Sequence, residues 1–268
     1  MLKLAVSTLT FDGFGDNNFV NTFANVQKVG YQRIEFNCWH PRTLTPAKMQ
    51  DLKRRCEKAG VIPVSLHVNA FGGGTNDALT TNVCHKIRAI EAAVELGCRR
   101  VVASCMDINA KETGGIEAVI QQLKILAPIA QEADVLLCLE NHCNNVLADE
   151  EDYGRIFQEI HSSHVGICVD TGHFDAAGVE MTAFIEQFSD KINHIHLKEN
   201  KGFGVKRFCR FGEGTTDNEK VVKQLLEKGY SGYMSVELSP EIGESGDNIA
   251  FGLEEWRKPL EMFSHLER

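Results

Sequence analysis

Short β-rich runs alternate with amphipathic helical stretches from one end of the chain to the other. Runs at 2–8, 32–37, 62–68, 99–105, 134–140, 164–170, 191–198 and 232–238 read as eight strands. Regular strand–helix alternation implies parallel pairing through crossover helices. The joins recur in form: Gly30, Gly60, Gly97 and Gly229 each stand just ahead of a strand. Glycine at such a place supplies the left-handed end of the preceding helix. Thr45-Pro46 marks a helix start, with Thr as N-cap and Pro at the first helical position. Asp217 is expected to cap the helix before the last strand.

Within the strands the pattern has a period of two, so alternate residues face opposite sides. In the last four strands one side carries Leu137, Leu139, Ile167, Val169, Ile195, Leu197, Met234 and Val236. The other carries Cys138, Glu140, Gly166, Cys168, Asp170, His194, His196, Ser235 and Glu237. The first side suits a layer of outer helices; the second, small and polar, suits the inside of a barrel. A doubly wound open sheet would be apolar on both faces, and no GxGxxG follows the first strand to support one. The expected fold is therefore α/β, a single (β/α)8 TIM barrel over residues 1–268. That length suits one barrel, since such domains run to about 250 residues.

Composition narrows the partners. Hydrophobic content of 43% with 24% charged residues is that of a globular chain, not a disordered one. The formal net charge of -9 argues against a nucleic-acid partner, which needs a basic footprint. Nine cysteines, an odd number with no CxxC pair, read as reduced thiols in a cytoplasmic protein. No apolar run approaches the roughly 20 residues of a membrane span, and the apolar start MLKLAVSTLTF reads as a strand rather than a leader.

The chemistry gathers at the strand ends. Glu140, Asp170, His196 and Glu237 close or nearly close strands five to eight on the inward side. Neighbouring strands are about 4.8 Å apart, so these side chains can converge at the C-terminal mouth, where barrel enzymes keep their active sites. Such a cluster of ionisable groups needs a cation to hold it together. Three carboxylates and one imidazole form a hard, oxygen-rich set. It points to one divalent ion, manganese first, with magnesium, cobalt or zinc as alternatives. Cys138 and Cys168 fall a layer below and are not counted as ligands. The competing explanation is a salt-bridged barrel end with Lys198 and nearby arginines as counter-ions.

Taken together, Leu139-Glu140-Asn141-His142, Val169-Asp170-Thr171-Gly172-His173, His194-Ile195-His196-Leu197-Lys198, Gly212-Glu213-Gly214 and Gly232-Tyr233-Met234-Ser235-Val236-Glu237 form a signature. It resembles that of the xylose isomerase-like, sugar phosphate isomerase/epimerase superfamily, over nearly the whole chain. The resemblance implies the barrel, and Glu140, Asp170, His196 and Glu237 as metal ligands. It also implies Glu140 and Glu237 as an acid/base pair on opposite sides of a substrate carbon. A metal-polarised carbonyl acidifies the adjacent C–H and stabilises an enediolate. One glutamate removes the proton; the other returns it (epimerisation or isomerisation), or a hydroxyl is lost instead (dehydration). The implied partners are a small sugar, cyclitol or keto acid, with family members often assembling as homo-oligomers.

Further candidates surround this set. His173 and His67 are expected to contact substrate, although a capping role and an interior hydrogen bond are the ordinary explanations. Glu35 is inward and is expected to orient His67, touch a substrate hydroxyl or pair with an interior cation. Lys198 would hold an anionic group or neutralise the acids. The basic loop 201–210 offers Arg207 or Arg210 as a substrate contact, and spacing leaves both open. Asn141 and His142 are open as contacts too. Trp39 and Phe11 lie in mouth loops, where packing is the simpler role. The glycine-rich stretch 71–75 lacks a P-loop Lys-Ser/Thr ending and reads as a mouth loop. Apurinic-site endonucleases share the superfamily but use a three-zinc cluster. The run Ser104-Cys105-Met106-Asp107 holds no histidine, and no Asp-x-His follows His196. Both gaps disfavour a nuclease.

Overall fold

In the computed structural model eight parallel strands close into a barrel, ordered β1-β10-β7-β6-β5-β4-β3-β2. The structure describes residues 2–15, 18–72, 76–105, 108–238 and 249–267. Part of the glycine-rich stretch, 73–75, and Met106-Asp107 lie outside the described residues. The barrel strands are β1 (Leu4–Ser7), β2 (Arg33–Asn37), β3 (Ile62–Val68), β4 (Arg100–Ala103), β5 (Leu136–Glu140), β6 (Val165–Asp170), β7 (Ile192–Leu197) and β10 (Tyr233–Val236). Each falls within the range expected for it. A small antiparallel hairpin, β8 (Glu199–Asn200) with β9 (Phe208–Cys209), stands over the mouth between β7 and the last strand; no pattern in the sequence announces it.

The expected helix signals hold. Gly30, Gly60, Gly97 and Gly229 take left-handed φ of 105°, 61°, 90° and 83°. Helix α3 (Pro46–Ala59) starts on its proline, although the Thr45 side chain makes no capping bond. Asp217 caps α9 (Asn218–Glu227) by accepting from the Lys220 N–H. Among the described residues no helix is long and apolar enough to cross a membrane.

The two faces separate as the alternation requires. Leu137, Leu139, Ile167, Val169, Ile195, Leu197, Met234 and Val236 all belong to the large apolar cluster shared with the helices. Inside the barrel a separate small cluster of Val102, Cys138 and Cys168 forms a plug. Above it Glu140, Asp170, His196 and Glu237 converge, and that layer carries the site.

One irregularity sets the phase of β7. The register with β6 slips between Ile167/Cys168: Ile167 pairs with Ile192, but Cys168 pairs with His194. Asn193 is thus an extra, bulged residue. It lets Ile192 join the outer apolar cluster while His194 and His196 both face inward. The bulge carbonyl accepts from Arg100 Nε at 3.0 Å. Gly166 makes room for it: a Cβ there would meet the Asn193 side chain and sit 2.5 Å from the Lys191 carbonyl oxygen.

Candidate metal centre and substrate cavity

Glu140 ends β5, Asp170 ends β6, His196 is the penultimate residue of β7, and Glu237 follows β10 directly. One donor atom from each lies within 4.8 Å of all the others, and all four residues are buried. Donors at about 2.1 Å from one ion are separated by up to about 4.2 Å, so small rotations would bring this set onto a single cation. His196 Nδ1 lies 2.6 Å from Glu140 Oε1 and 3.5 Å from Glu237 Oε2. Glu237 Oε2 is buried with no hydrogen-bond partner. An orphaned carboxylate oxygen beside an inward imidazole nitrogen is the chemistry a divalent ion would satisfy.

The counter-ion arrangement is also present. Lys198 Nζ lies 2.7 Å from both Asp170 Oδ2 and Glu237 Oε1. Burial alone would lower its pKa, but Asp170 and Glu237 outweigh that and hold the ammonium protonated. Burial raises the Asp170 carboxyl to about 6 despite Lys198. Lys198 therefore neutralises one edge of the cluster and leaves the Glu140–His196–Glu237 edge facing inward. Gly172 is what lets its stem pass: a Cβ there would sit 2.7 Å from Lys198 Cγ.

A lower tier orients the ligands. Glu35 is fully buried; Oε1 lies 2.9 Å from His196 Nε2, Oε2 lies 2.8 Å from His194 Nε2 and accepts from Ser65 Oγ at 2.7 Å. Burial would raise its pKa, yet the two imidazoles hold it well below the usual carboxylate range. With Nε2 turned to Glu35, His196 presents Nδ1 to the acids. Asn141 clamps the end of β6: its Oδ1 accepts from the Asp170 N–H at 2.6 Å, and its Nδ2 donates to the Asp170 carbonyl at 2.9 Å. Asp170 Oδ1 in turn accepts from the His173 N–H at 2.9 Å, starting the helix α7 (Thr171–Ala177).

Directly above lies a cavity of about 440 Å³. Its floor includes Glu140, Glu237, Lys198 and His67; its walls include His142, His173, Phe208, Trp39 and Phe14. His67 sits between the two glutamates, 3.3 Å from Glu140 Oε2 and 3.7 Å from Glu237 Oε2. Burial would lower its pKa, but those carboxylates raise it to about 10. The cavity thus draws together His67, His173 and Lys198 of the expected substrate contacts. Three others lie elsewhere. Glu35 is beneath His196, out of reach of the cavity. Arg210 is held by Glu255 at 2.7 Å and Glu254 at 2.8 Å on α10 (Ile249–Phe263). The Arg207 side chain is exposed, while its backbone is tied in: the N–H donates to Asn200 Oδ1 at 2.7 Å and the carbonyl accepts from the Lys201 N–H at 2.9 Å. A basic stretch shows charge but not aim, and α10 decides the aim of Arg210 some 45 residues away.

The two mouth-loop aromatics divide, Phe11 taking the expected packing role and Trp39 not. Phe11 packs edge-on against Trp256, centroids 4.5 Å apart, on the outer layer. Trp39 does reach the cavity, packed on Phe14 at 4.4 Å and His67 at 5.6 Å. Phe14 escapes a sequence reading; its one signal is an aromatic between two glycines, Gly13 and Gly15, in a mouth loop. Of the open pair after Glu140, His142 lines the cavity, while Asn141 is spent on the Asp170 backbone.

The model of the xylose isomerase-like TIM barrel family matches residues 23–260. The chain belongs to that family. An inosose dehydratase of Yersinia enterocolitica is 31% identical over 131 residues, covering 42% of this chain and 44% of that protein. The match thus spans less than half the length of that relative. Among solved structures, the IolI protein with a bound zinc atom superposes with a TM-score of 0.79 at 21% identity, covering 98% of this chain and 99% of that one. A D-allulose 3-epimerase from Methylomonas sp., in complex with D-allulose, gives the same TM-score at 16% identity, covering 98% and 96%. At these identities the structural likeness establishes the shared barrel.

Proposed function

We propose that the protein is a divalent-metal-dependent isomerase or epimerase of a small keto-sugar or cyclitol, acting by proton transfer at the carbon next to a carbonyl. The observation that carries this is the convergence of Glu140 and Glu237 with Asp170 and His196 on the floor of a cavity large enough for a sugar. Glu140, Asp170, His196 and Glu237 would hold the ion. When bound, a divalent cation supplies Lewis-acid polarisation of a carbonyl oxygen. Glu237 and Glu140 are the two carboxylates that border the cavity, so one takes the proton from the substrate carbon and the other returns it. Lys198 and His67 surround them with positive charge: the accepting glutamate is kept ionised, and protonated His67, beside both, supplies the proton that the other returns. Phe14, Trp39 and Phe208 give apolar faces for the C–H side of a ring and exclude water from the reacting carbon.

A dehydratase is the second reading, favoured by the inosose dehydratase match. It shares the first proton abstraction and differs in expelling a hydroxyl from the neighbouring carbon. The test is deuterium wash-in from D2O with manganese present, across ketoses, inososes and 3-dehydroshikimate. Exchange at a carbon next to the carbonyl is expected, with loss of water only in the dehydratase case. Glu237→Gln and Glu140→Gln are each expected to abolish exchange; full exchange in either variant overturns the assigned acid/base roles.

A further inference from the structure

A second group of metal-binding side chains stands in the cavity wall, apart from the four carboxylate and imidazole donors below it. His142 and Cys143 come from the loop after β5, and His173 from α7. One nitrogen of each imidazole and the Cys143 sulfur all lie within 4.8 Å of one another. The rings of His142 and His173 are stacked, centroids 3.6 Å apart and tilted by 34°. Cys143 Sγ lies 3.4 Å from His173 Nδ1.

The Cys143–His173 spacing is close to that of a chelate. Two imidazole nitrogens on a tetrahedral zinc are about 3.4 Å apart, and a nitrogen and a thiolate sulfur about 3.6 Å, given bonds of about 2.05 and 2.3 Å. The Cys143–His173 contact is within 0.2 Å of the second, and His142 would turn out of its stack on His173 to bring a nitrogen to the same ion. The imidazole lone pairs are loosely spent. His173 Nδ1 accepts from the Cys143 N–H at 3.5 Å, and His142 Nδ1 from the Asn144 N–H at 3.4 Å. Both are at the long limit of hydrogen bonding and cost little to give up. Phe208 packs edge-on against His173 at 4.6 Å and fixes its ring.

We propose that His142, Cys143 and His173 form a second cation site, selective for a thiophilic ion such as zinc, in the wall of the substrate cavity. Two imidazoles and a thiolate are a soft set, in contrast to the oxygen-rich floor, so the two sites sort ions by softness. Binding converts the Cys143 thiol to thiolate and releases its proton to solvent. Because His142 and His173 both line the cavity, the fourth position of the ion opens on the space a substrate would fill. Zinc held there competes with substrate for that wall.

Cobalt(II) tests this without reference to activity, because thiolate ligation gives a near-ultraviolet charge-transfer band that carboxylate and imidazole ligation do not. The metal-free, reduced full chain is titrated with cobalt(II) and uptake is counted. Two equivalents are expected, one of them bringing up the band. Cys143→Ser should lose the band and one equivalent. Asp170→Asn should lose the other equivalent and keep the band, so failure of the floor site and failure of this site read differently. Uptake of a single equivalent by wild-type protein, two equivalents with no band, or a band undiminished in Cys143→Ser overturns the proposal.

Discussion

Glu35 shows how much one buried carboxylate decides. Its two oxygens lie beside the imidazoles of His196 and His194 as ion-pair contacts, and with Nε2 on that side Nδ1 of His196 is the nitrogen offered upward. Partners that orient a metal-binding histidine typically contribute about 10- to 100-fold in affinity. Glu35→Gln is therefore expected to weaken manganese binding by about 10- to 100-fold in calorimetry, with the fold retained by circular dichroism; unchanged affinity would remove Glu35 from the account. That Glu35 faces inward is readable from alternation in Arg33-Ile34-Glu35-Phe36. That its partners are His196 and His194 is not. Strands β2 and β7 are not neighbours, and the contact depends on the stagger of the closed barrel. The same limit applies to Arg207 and Arg210, whose charge is visible but whose direction is set by chain far away.

The eight barrel strands are legible from the strand–helix alternation along the chain, and in the last four the inward side is set apart by its small and polar residues. The β8–β9 hairpin is two residues a side, too short to show a period. The bulge at Asn193 is hidden for a related reason: an extra residue breaks the alternation it would have to be read from. The bulge depends on Gly166 in the neighbouring strand, where a methyl group would press on the Asn193 side chain and the Lys191 carbonyl. Overpacking of this kind costs about 1–3 kcal/mol. Gly166→Ala should lower unfolding free energy by about that amount in urea titration, and should also disturb His194 and His196. A variant as stable as wild type would mean that β7 can relax away from β6 without cost.

Among the described residues a buried cation also stands outside the ligand cluster. Lys86 of α4 (Asn76–Leu96) is fully buried, and its Nζ donates to the carbonyls of Asn69 and Ala70 at 2.7 and 3.1 Å, pinning the loop after β3. Burial lowers its pKa from 10.5 to about 7. Between those values the unfolded chain binds more protons than the folded one, so this group makes stability rise with pH. Its titratable neighbours change charge elsewhere, since burial takes His85 down to about 4 and pushes Cys105 upward. The stability of wild type relative to Lys86→Met is expected to increase from pH 7 towards pH 10; a pH-independent difference would show Lys86 to be solvated.

The whole arrangement turns on the acids at the mouth of the barrel sharing one cation. Calorimetric titration of manganese(II) into the metal-free chain and its Asp170→Asn variant measures this. Manganese, a hard ion, reports on the carboxylate floor and passes over the soft wall. The expected result is one equivalent bound by wild type and none by the variant, with both folded. Absence of manganese binding by wild type, or the same stoichiometry and affinity in Asp170→Asn, would leave Lys198 as the counter-ion of the cluster and remove the basis for its chemistry.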